Sequence, residues 1–371
     1  MNDIEITDEK KRMEEIGKEI IVSYSSKYNS AMMTKLMGSI DRHMPNAGRE
    51  EKERRFYRTI YNYWVYGNDV DEDFYLGFDY ITNEKKCGYM TLRKKLIYLS
   101  HLNNKVYSHL FDDKYETYKL LKPYYFREII QINGREDYDL FCSFVRRHPS
   151  FVVKPCNLSF AIGVYRVDIK EPVEVEREFA RILENGLKYK KEYWGKTTSV
   201  ILEELIPQHD KISSLHSSSV NGIRVTTVRV HDNITIYHPW IKVGVGGDFI
   251  ASASQGGLDI GIDPVTGILN TRGFNEEGES FSEHPTTGIK FIGFQIPDWT
   301  GLVDMAKKIA MDLPSSINYI GWDFALTNNG WCIVEGNYWG DFMWQMFMQK
   351  GSLQEFEELI GWKFDKKFWW Q

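Results

Sequence analysis

Cysteine is scarce in this chain of 371 residues, with only Cys87, Cys142, Cys156 and Cys332, and no CxxC or other metal-ligand spacing. That excludes a disulfide-stapled scaffold and a thiolate zinc site, and points to reduced, mostly buried thiols and a cytoplasmic address. A basic excess is also missing. Lys and Arg number 46 against 52 Asp and Glu, a formal charge of -6. This argues against a nucleic-acid binder built on a broad basic face, although a few lysines in a cleft suffice for a small polyanion. No window approaches ~18 uninterrupted apolar residues, so no membrane span is expected. The first twenty residues, MNDIEITDEKKRMEEIGKEI, are charged throughout and lack an apolar signal core. Internal repeats and low-complexity linkers are absent as well. What remains is a soluble intracellular protein, long enough for two or three globular domains.

What is present is 42% hydrophobic and 15% aromatic residues, arranged in two textures. Up to residue 112 the chain is rich in Tyr, Lys and Glu, and segments such as EEKERRFYRTIYNYWVYG carry apolar residues every three or four positions. That spacing predicts helices whose aromatic stripes are core contacts. From Asp113 the pattern is mixed: FVVKP and TTSVILEELI read as strands, VEVEREFARILENGLK as an amphipathic helix with a Gly near its end. IRVTTVRV and ITIYHPWIKVGV alternate about His231-Asp232-Asn233 as an antiparallel hairpin, GLDIGIDPVTGIL is strand-turn-strand, and GLVDMAKKIAMDL is a helix. SLQEFEELIGWKF closes the chain as an amphipathic stretch. The fold class is α+β, in which a site lies in a cleft between layers or lobes.

The stretch IGWDFALTNNGWCIVEGN reads as a hairpin closed by Asn328-Asn329-Gly330. A three-residue loop sets Thr327 opposite Trp331 and, counting back, Asp323 opposite Glu335, about 5 Å apart at Cβ. Both carboxylates could face solvent, where screening makes their repulsion cheap. The apolar arms argue instead for burial, and Asn337 falls on the same face as Glu335. Two carboxylates and an amide oxygen form a hard oxygen set suited to Mg²⁺, which takes further ligands from water and phosphate.

Upstream, Lys154 ends a buried strand and needs an anionic partner, for which a phosphate is suitable. VILEELI can offer backbone groups at Glu203-Glu204 and Ile206 to a flat heterocycle, with Asp210 placed for sugar hydroxyls. Arg224 and Arg229 lie an odd number of residues apart, so one faces the cleft and the other solvent. His209 and His216 lack a third ligand and make no zinc site. SSLHSSS lacks the elbow turn and acid of a serine nucleophile.

Taken in order, Lys114 in DKYETYKLL, Lys154 in FVVKP, ILEELIPQHD, VNGIRVTTVRV, GGLDIGIDPVTGIL, HPTTG and GWDFALTNNGWCIVEGN resemble the ATP-grasp superfamily. They are most similar to its sugar-transfer-associated and teichuronopeptide-type branch, over roughly residues 113 to 345. The resemblance implies two α+β lobes clasping ATP, residues 113–206 and 207–371, behind a helical region of residues 1–112. Lys114 and Lys154 would contact phosphates, the backbone of Glu204 and Ile206 would read adenine beside Glu203, and Asp210 would meet the ribose. Asp323, Glu335 and Asn337 would hold Mg²⁺. The family's Asn-x-x-Arg piece assigns Asn221 and Arg224 to the transferred phosphoryl group, and its pattern puts His284 in the acceptor pocket. One departure stands out: after Lys-Pro the sequence reads CNLSFAIGV, with Phe160 and Ile162 where the family carries small, flexible residues.

The implied activity is an ADP-forming carboxylate–amine ligase joining small molecules, an amino acid and a sugar among the candidates, in cell-surface polysaccharide modification. A sugar kinase on the same fold and a non-catalytic nucleotide-binding partner of a glycosyltransferase system are the alternatives.

Overall fold

The computed structural model describes residues 3–27, 30–159, 161–192, 197–247, 249, 251, 256–276 and 278–364. The chain forms two compact units: Met1–His101 with Glu277–Glu279 and Phe342–Gln371, and Leu102–Glu276 with Ser280–Asp341.

The first unit is helical, as the three- and four-residue spacing predicts. Helix Arg49–Tyr66 starts with Glu50 and Glu51, where the macrodipole favours carboxylates, and buries Phe56 and Ile60 on one stripe. Charge is also buried here. Arg55 and Arg58 converge on Asp79 at 2.8–3.0 Å, and Asp73 accepts from Thr59, Asn62 and Asn68. Lys86, in the charged run NEKKC, is 2% exposed, with its ammonium against the Met13 sulfur. The closing helix Leu353–Ile360 belongs to this unit. An amphipathic helix announces a buried face but not which neighbour covers it.

The second unit holds two antiparallel sheets. Strands β1 (Ile129–Ile132), β2 (Ser150–Pro155), β3 (Tyr165–Asp168) and β4 (Val200–Glu204) form a sheet in the order β1-β4-β2-β3. Helix Glu174–Glu192 packs behind it through Phe179 and Ile182. Gly186 does not end this helix. It lies mid-helix, where a Cβ would stand 2.3 Å from the Thr198 carbonyl oxygen, so the close approach requires glycine.

The larger sheet comprises β5 (Ile223–Val230), β6 (Asn233–Val243), β7 (Leu258–Ile262), β8 (Leu269–Phe274), β9 (Ser280–Phe281), β10 (Tyr319–Thr327) and β11 (Gly330–Asn337). Its order is β11-β10-β5-β6-β7-β8-β9. Alternate residues Ile223, Val225, Ile241, Ile260, Trp322 and Phe324 form the core face, covered by Leu302, Ala306 and Ile309 of helix Trp299–Asp312. The opposite face is free to carry polar side chains, and it does. Among the described residues no helix is long and apolar enough to cross a membrane.

Candidate active site

The polar face is read directly from strand register. Glu335 stands opposite Asp323, Asp323 opposite Arg224, and Arg224 opposite Trp240. Two residues along β6 from Trp240, and therefore on the same face, Lys242 stands opposite Asp259 of β7. A line of charged groups thus crosses five neighbouring strands.

The hairpin reaches this arrangement by a different route from the one expected. Thr327 pairs with Gly330, so the loop is the two-residue Asn328-Asn329, and the extra residue sits lower down. Phe324 pairs with Ile333 but Asp323 with Glu335, which makes Val334 a β-bulge. Without the bulge a two-residue loop would turn Glu335 to the core face.

Asp323 is 6% exposed and fully engaged. Arg224 donates to it as a fork, Nε to Oδ1 at 2.6 Å and Nη2 to Oδ2 at 3.0 Å, and Lys242 Nζ donates to Oδ2 at 3.2 Å. Burial alone would raise Asp323, but the guanidinium and the ammonium outweigh it and hold the carboxyl well below the usual carboxylate range. The repulsion between Asp323 and Glu335 is therefore offset by two protein cations, and the carboxylate pair does not by itself require a metal. Glu335 is only part-buried, and Asn337 Nδ2 donates to its Oε1 at 3.3 Å, leaving the Asn337 carbonyl oxygen available. Arg224 Nη1 is buried with no hydrogen-bond partner among the described residues and stands 3.7 Å from Asp341.

The two lysines come to the same place. Lys114 Nζ donates to the Leu158 carbonyl at 2.5 Å, tying its helix to the loop after Lys-Pro. Burial lowers its pKa, against the pull of nearby Glu335 and with the push of Lys154. In that loop Gly163 has φ +73°, and a Cβ would meet Pro155 and Tyr189 at 2.8 Å. Phe160, which departs from the family pattern, lies outside the described residues. Lys154 Nζ is 3.0 Å from Glu203 Oε2, which also accepts from Arg127 Nε at 3.1 Å and Nη2 at 2.9 Å. Burial would raise Glu203, but Arg127 and Lys154 outweigh it and lower its pKa. Arg127 reaches on to the large sheet, its Nη1 donating to the Ile333 carbonyl at 2.5 Å, beside the bulge.

Other expected site residues are placed differently. The Glu204 N–H is taken by the Glu128 carbonyl at 3.0 Å, so only its carbonyl could face a base; Ile206 is part-buried and Asp210 exposed at the start of a short helix. Asn221 is 1% exposed with a fully committed amide. It donates to the Ile212 and His216 carbonyls and accepts from Ser219 Oγ and Gly244 N, so it braces a loop and has no group left for a phosphoryl. His284 is likewise buried. Nε2 meets the Gly244 carbonyl at 2.7 Å and Nδ1 accepts two backbone N–H groups, a turn brace rather than a pocket wall. Arg229, the arginine expected to face solvent, is 6% exposed and donates to the Ala310, Leu313 and Pro314 carbonyls, where the helix Trp299–Asp312 ends.

Arg127, Lys242 and Asp259 escaped sequence reading. Lys242 carried a signal, since a lone charge in the apolar run PWIKVGV has to be paired where it is buried. Arg127 and Asp259 carried none that distinguishes them from residues at strand ends.

Among the described residues no group of three or more His, Cys, Asp or Glu side chains is gathered as a metal site. The oxygens of Asp323, Glu335 and Asn337 nonetheless suit a hard cation that completes its shell with water and phosphate. Such an ion would share Asp323 with Arg224 and Lys242.

Solved structures that the chain matches include D-alanine-D-alanine ligase from Helicobacter pylori, 17% identical over 68% of this chain and 60% of that one, TM-score 0.42. Phosphoribosylamine–glycine ligase from Thermotoga maritima is 12% identical over 63% and 49%, TM-score 0.40, and L-amino acid ligase from Bacillus licheniformis 14% over 64% and 45%, TM-score 0.37. The chain thus spans roughly half the length of the structures it matches. No curated protein matches it in sequence. The family model for sugar-transfer associated ATP-grasp proteins matches residues 93–359, well over half of the chain and all of the polar face just described. The chain belongs to the sugar-transfer-associated ATP-grasp family, with the ATP-grasp fold.

Proposed function

We propose that this protein is an ATP-dependent ligase that activates a carboxylate as its acyl phosphate and transfers the acyl group to an amine. The reading is supported by one arrangement in a member of a nucleotide-using family: two carboxylates, an amide and a forked arginine on the large sheet, with Lys154 on the small sheet and Lys114 at the start of the helix Lys114–Leu121. Asp323, Glu335 and Asn337 would hold Mg²⁺, which screens the charge of the reacting phosphates.

The chain's own side chains have separable tasks in this reading. Arg224 keeps Nη1 for an oxygen of the transferring group while its other donors fix Asp323. Lys154 can turn toward a phosphate without stranding Glu203, because Arg127 remains on that carboxylate. Lys114 holds the loop after Lys-Pro through Leu158, close enough to bring a second ammonium to the phosphates. The Glu204 carbonyl and the Ile206 N–H would face adenine beside Glu203, with Asp210 toward the ribose. By family association, the product is an amino acid or peptide joined to a surface sugar, made in the cytoplasm.

Mg·ATP is expected to raise the melting temperature, since a ligand of the folded state stabilises by mass action. With a panel of amino acids and uronic acids, ADP and free phosphate should appear together. No melting shift at millimolar ATP removes the nucleotide from the reading; ADP without free phosphate replaces the ligase by a kinase.

A further inference from the structure

Asp259 is a charged group of the polar face that the proposed chemistry leaves without a task. It is 4% exposed, and its Oδ1 has no hydrogen-bond partner among the described residues. Its cross-strand neighbour Lys242 does not neutralise it, because that ammonium is committed to Asp323. A buried, unpaired carboxyl is expensive, and cheaper solutions such as Asn or Ser fit the same strand position. Asp259 ends the charged line on β7, at the opposite end from Glu335, but within electrostatic reach of Arg224 and Asp323.

From this geometry we propose that Asp259 is the general base that takes the proton from the attacking amine, an inference that rests on the ligase reading above. The amine binds and attacks as the neutral free base: its nitrogen forms a bond to the acyl carbon, and the bond from that carbon to the phosphate oxygen breaks with its electron pair. The N–H proton passes to Asp259 Oδ1 and from there to the departing phosphate, which leaves as hydrogen phosphate. Burial pushes the Asp259 carboxyl up to about 7, against the pull of Lys242 and Arg224 and with the push of Asp323 and Asp341. A base poised near neutrality is the efficient choice for this transfer.

The test compares wild type, Asp259→Asn and Asp259→Glu with ATP, Mg²⁺ and the amino-acid and uronic-acid panel, using either an amino acid or hydroxylamine as nucleophile. Hydroxylamine is uncharged and strongly nucleophilic at neutral pH, so it traps acyl phosphate without a base. Asp259→Asn should keep hydroxamate formation within about twofold and lose amide formation by roughly 10²- to 10⁴-fold. Asp259→Glu should recover part of that loss, and the break in slope near pH 7 of wild-type amide formation, superimposed on the steady rise from the amine's own deprotonation, should vanish in Asp259→Asn. Amide formation at the wild-type rate in Asp259→Asn overturns the proposal, as does equal loss of hydroxamate and amide. Wild type that binds Mg·ATP but yields no hydroxamate with any carboxylate overturns the ligase reading, and this inference with it.

A melting series needs no substrate. The folded carboxyl binds its proton more tightly than the unfolded one, so ionisation penalises the native state increasingly as pH rises from about 4 to 7. Asp259→Asn should therefore melt higher than wild type at pH 8, with the gap closing toward pH 4. Superimposable curves overturn the proposal by showing that Asp259 is not held as a buried, unpaired acid.

Discussion

At the scale of single residues, neutralisation of Asp323 decides what the neighbouring groups can do. With Arg224 and Lys242 already on Asp323, the apo hairpin tolerates its second carboxylate, and Glu335→Gln is expected to be neutral or to stabilise by under about 1 kcal/mol. With Mg·ATP present the same change should abolish ligand-induced stabilisation, because water does not replace a charged metal ligand at equal strength; Asn337→Ala should show a weaker version. A melt series with and without Mg·ATP checks this, and destabilisation of the apo protein by several kcal/mol with binding intact makes Glu335 a structural partner. Lys154→Ala should weaken the ATP shift, whereas exposed Lys191→Ala should not. The carboxylate pair was legible in the sequence because alternation fixes faces: one extra residue on the second arm is all that parity requires. Where that residue sits was not legible, since a three-residue loop and a two-residue loop with a bulge give the same facing pair. Asn221 and His284 misled because a buried amide or imidazole can be consumed by backbone groups that no motif reveals.

At the scale of elements, the bulge at Val334 and the arginine before β1 work as a unit. Arg127 binds Glu203 on the small sheet and the carbonyl beside the bulge on the large one, so one guanidinium joins the two layers that flank the site. Arg127→Met should strand a buried carboxylate shared only with Lys154, at a cost of about 3–5 kcal/mol. Urea unfolding measures that loss; Arg127→Lys should recover little of it, because an ammonium cannot reproduce the fork. A loss below ~1 kcal/mol would mean that Lys154 alone satisfies Glu203. Strands and helices were legible here wherever periodicity was long, as in IRVTTVRV with ITIYHPWIKVGV, or GLVDMAKKIAMDL. The bridge was not, because an Arg next to a buried strand reads the same whether it points to water or to a partner distant in sequence.

At the scale of the whole molecule, the helical unit is closed by both halves of its sequence. Gln345, 2% exposed, accepts from Met90 N at 2.8 Å and Ser352 N at 3.1 Å and donates to the Met90 carbonyl at 3.0 Å. Gln345→Ala leaves several buried backbone groups unmatched and should cost about 2–4 kcal/mol. Hydrogen exchange should show the loss in amides of residues 49–66 and not in β5 or β10; uniform loss would mean that the two units unfold as one. The sequence order that makes this closure also sets a timetable for synthesis. Residues up to His101 leave the ribosome some 241 residues before Phe342 does. At about 5–20 residues per second that is a wait of roughly 12–50 s, during which the ATP-grasp strands can pair but the helices lack their closing segment. The early helices, rich in buried tyrosine and phenylalanine, are thus the part of the nascent chain with the longest unprotected interval and the most to gain from a chaperone.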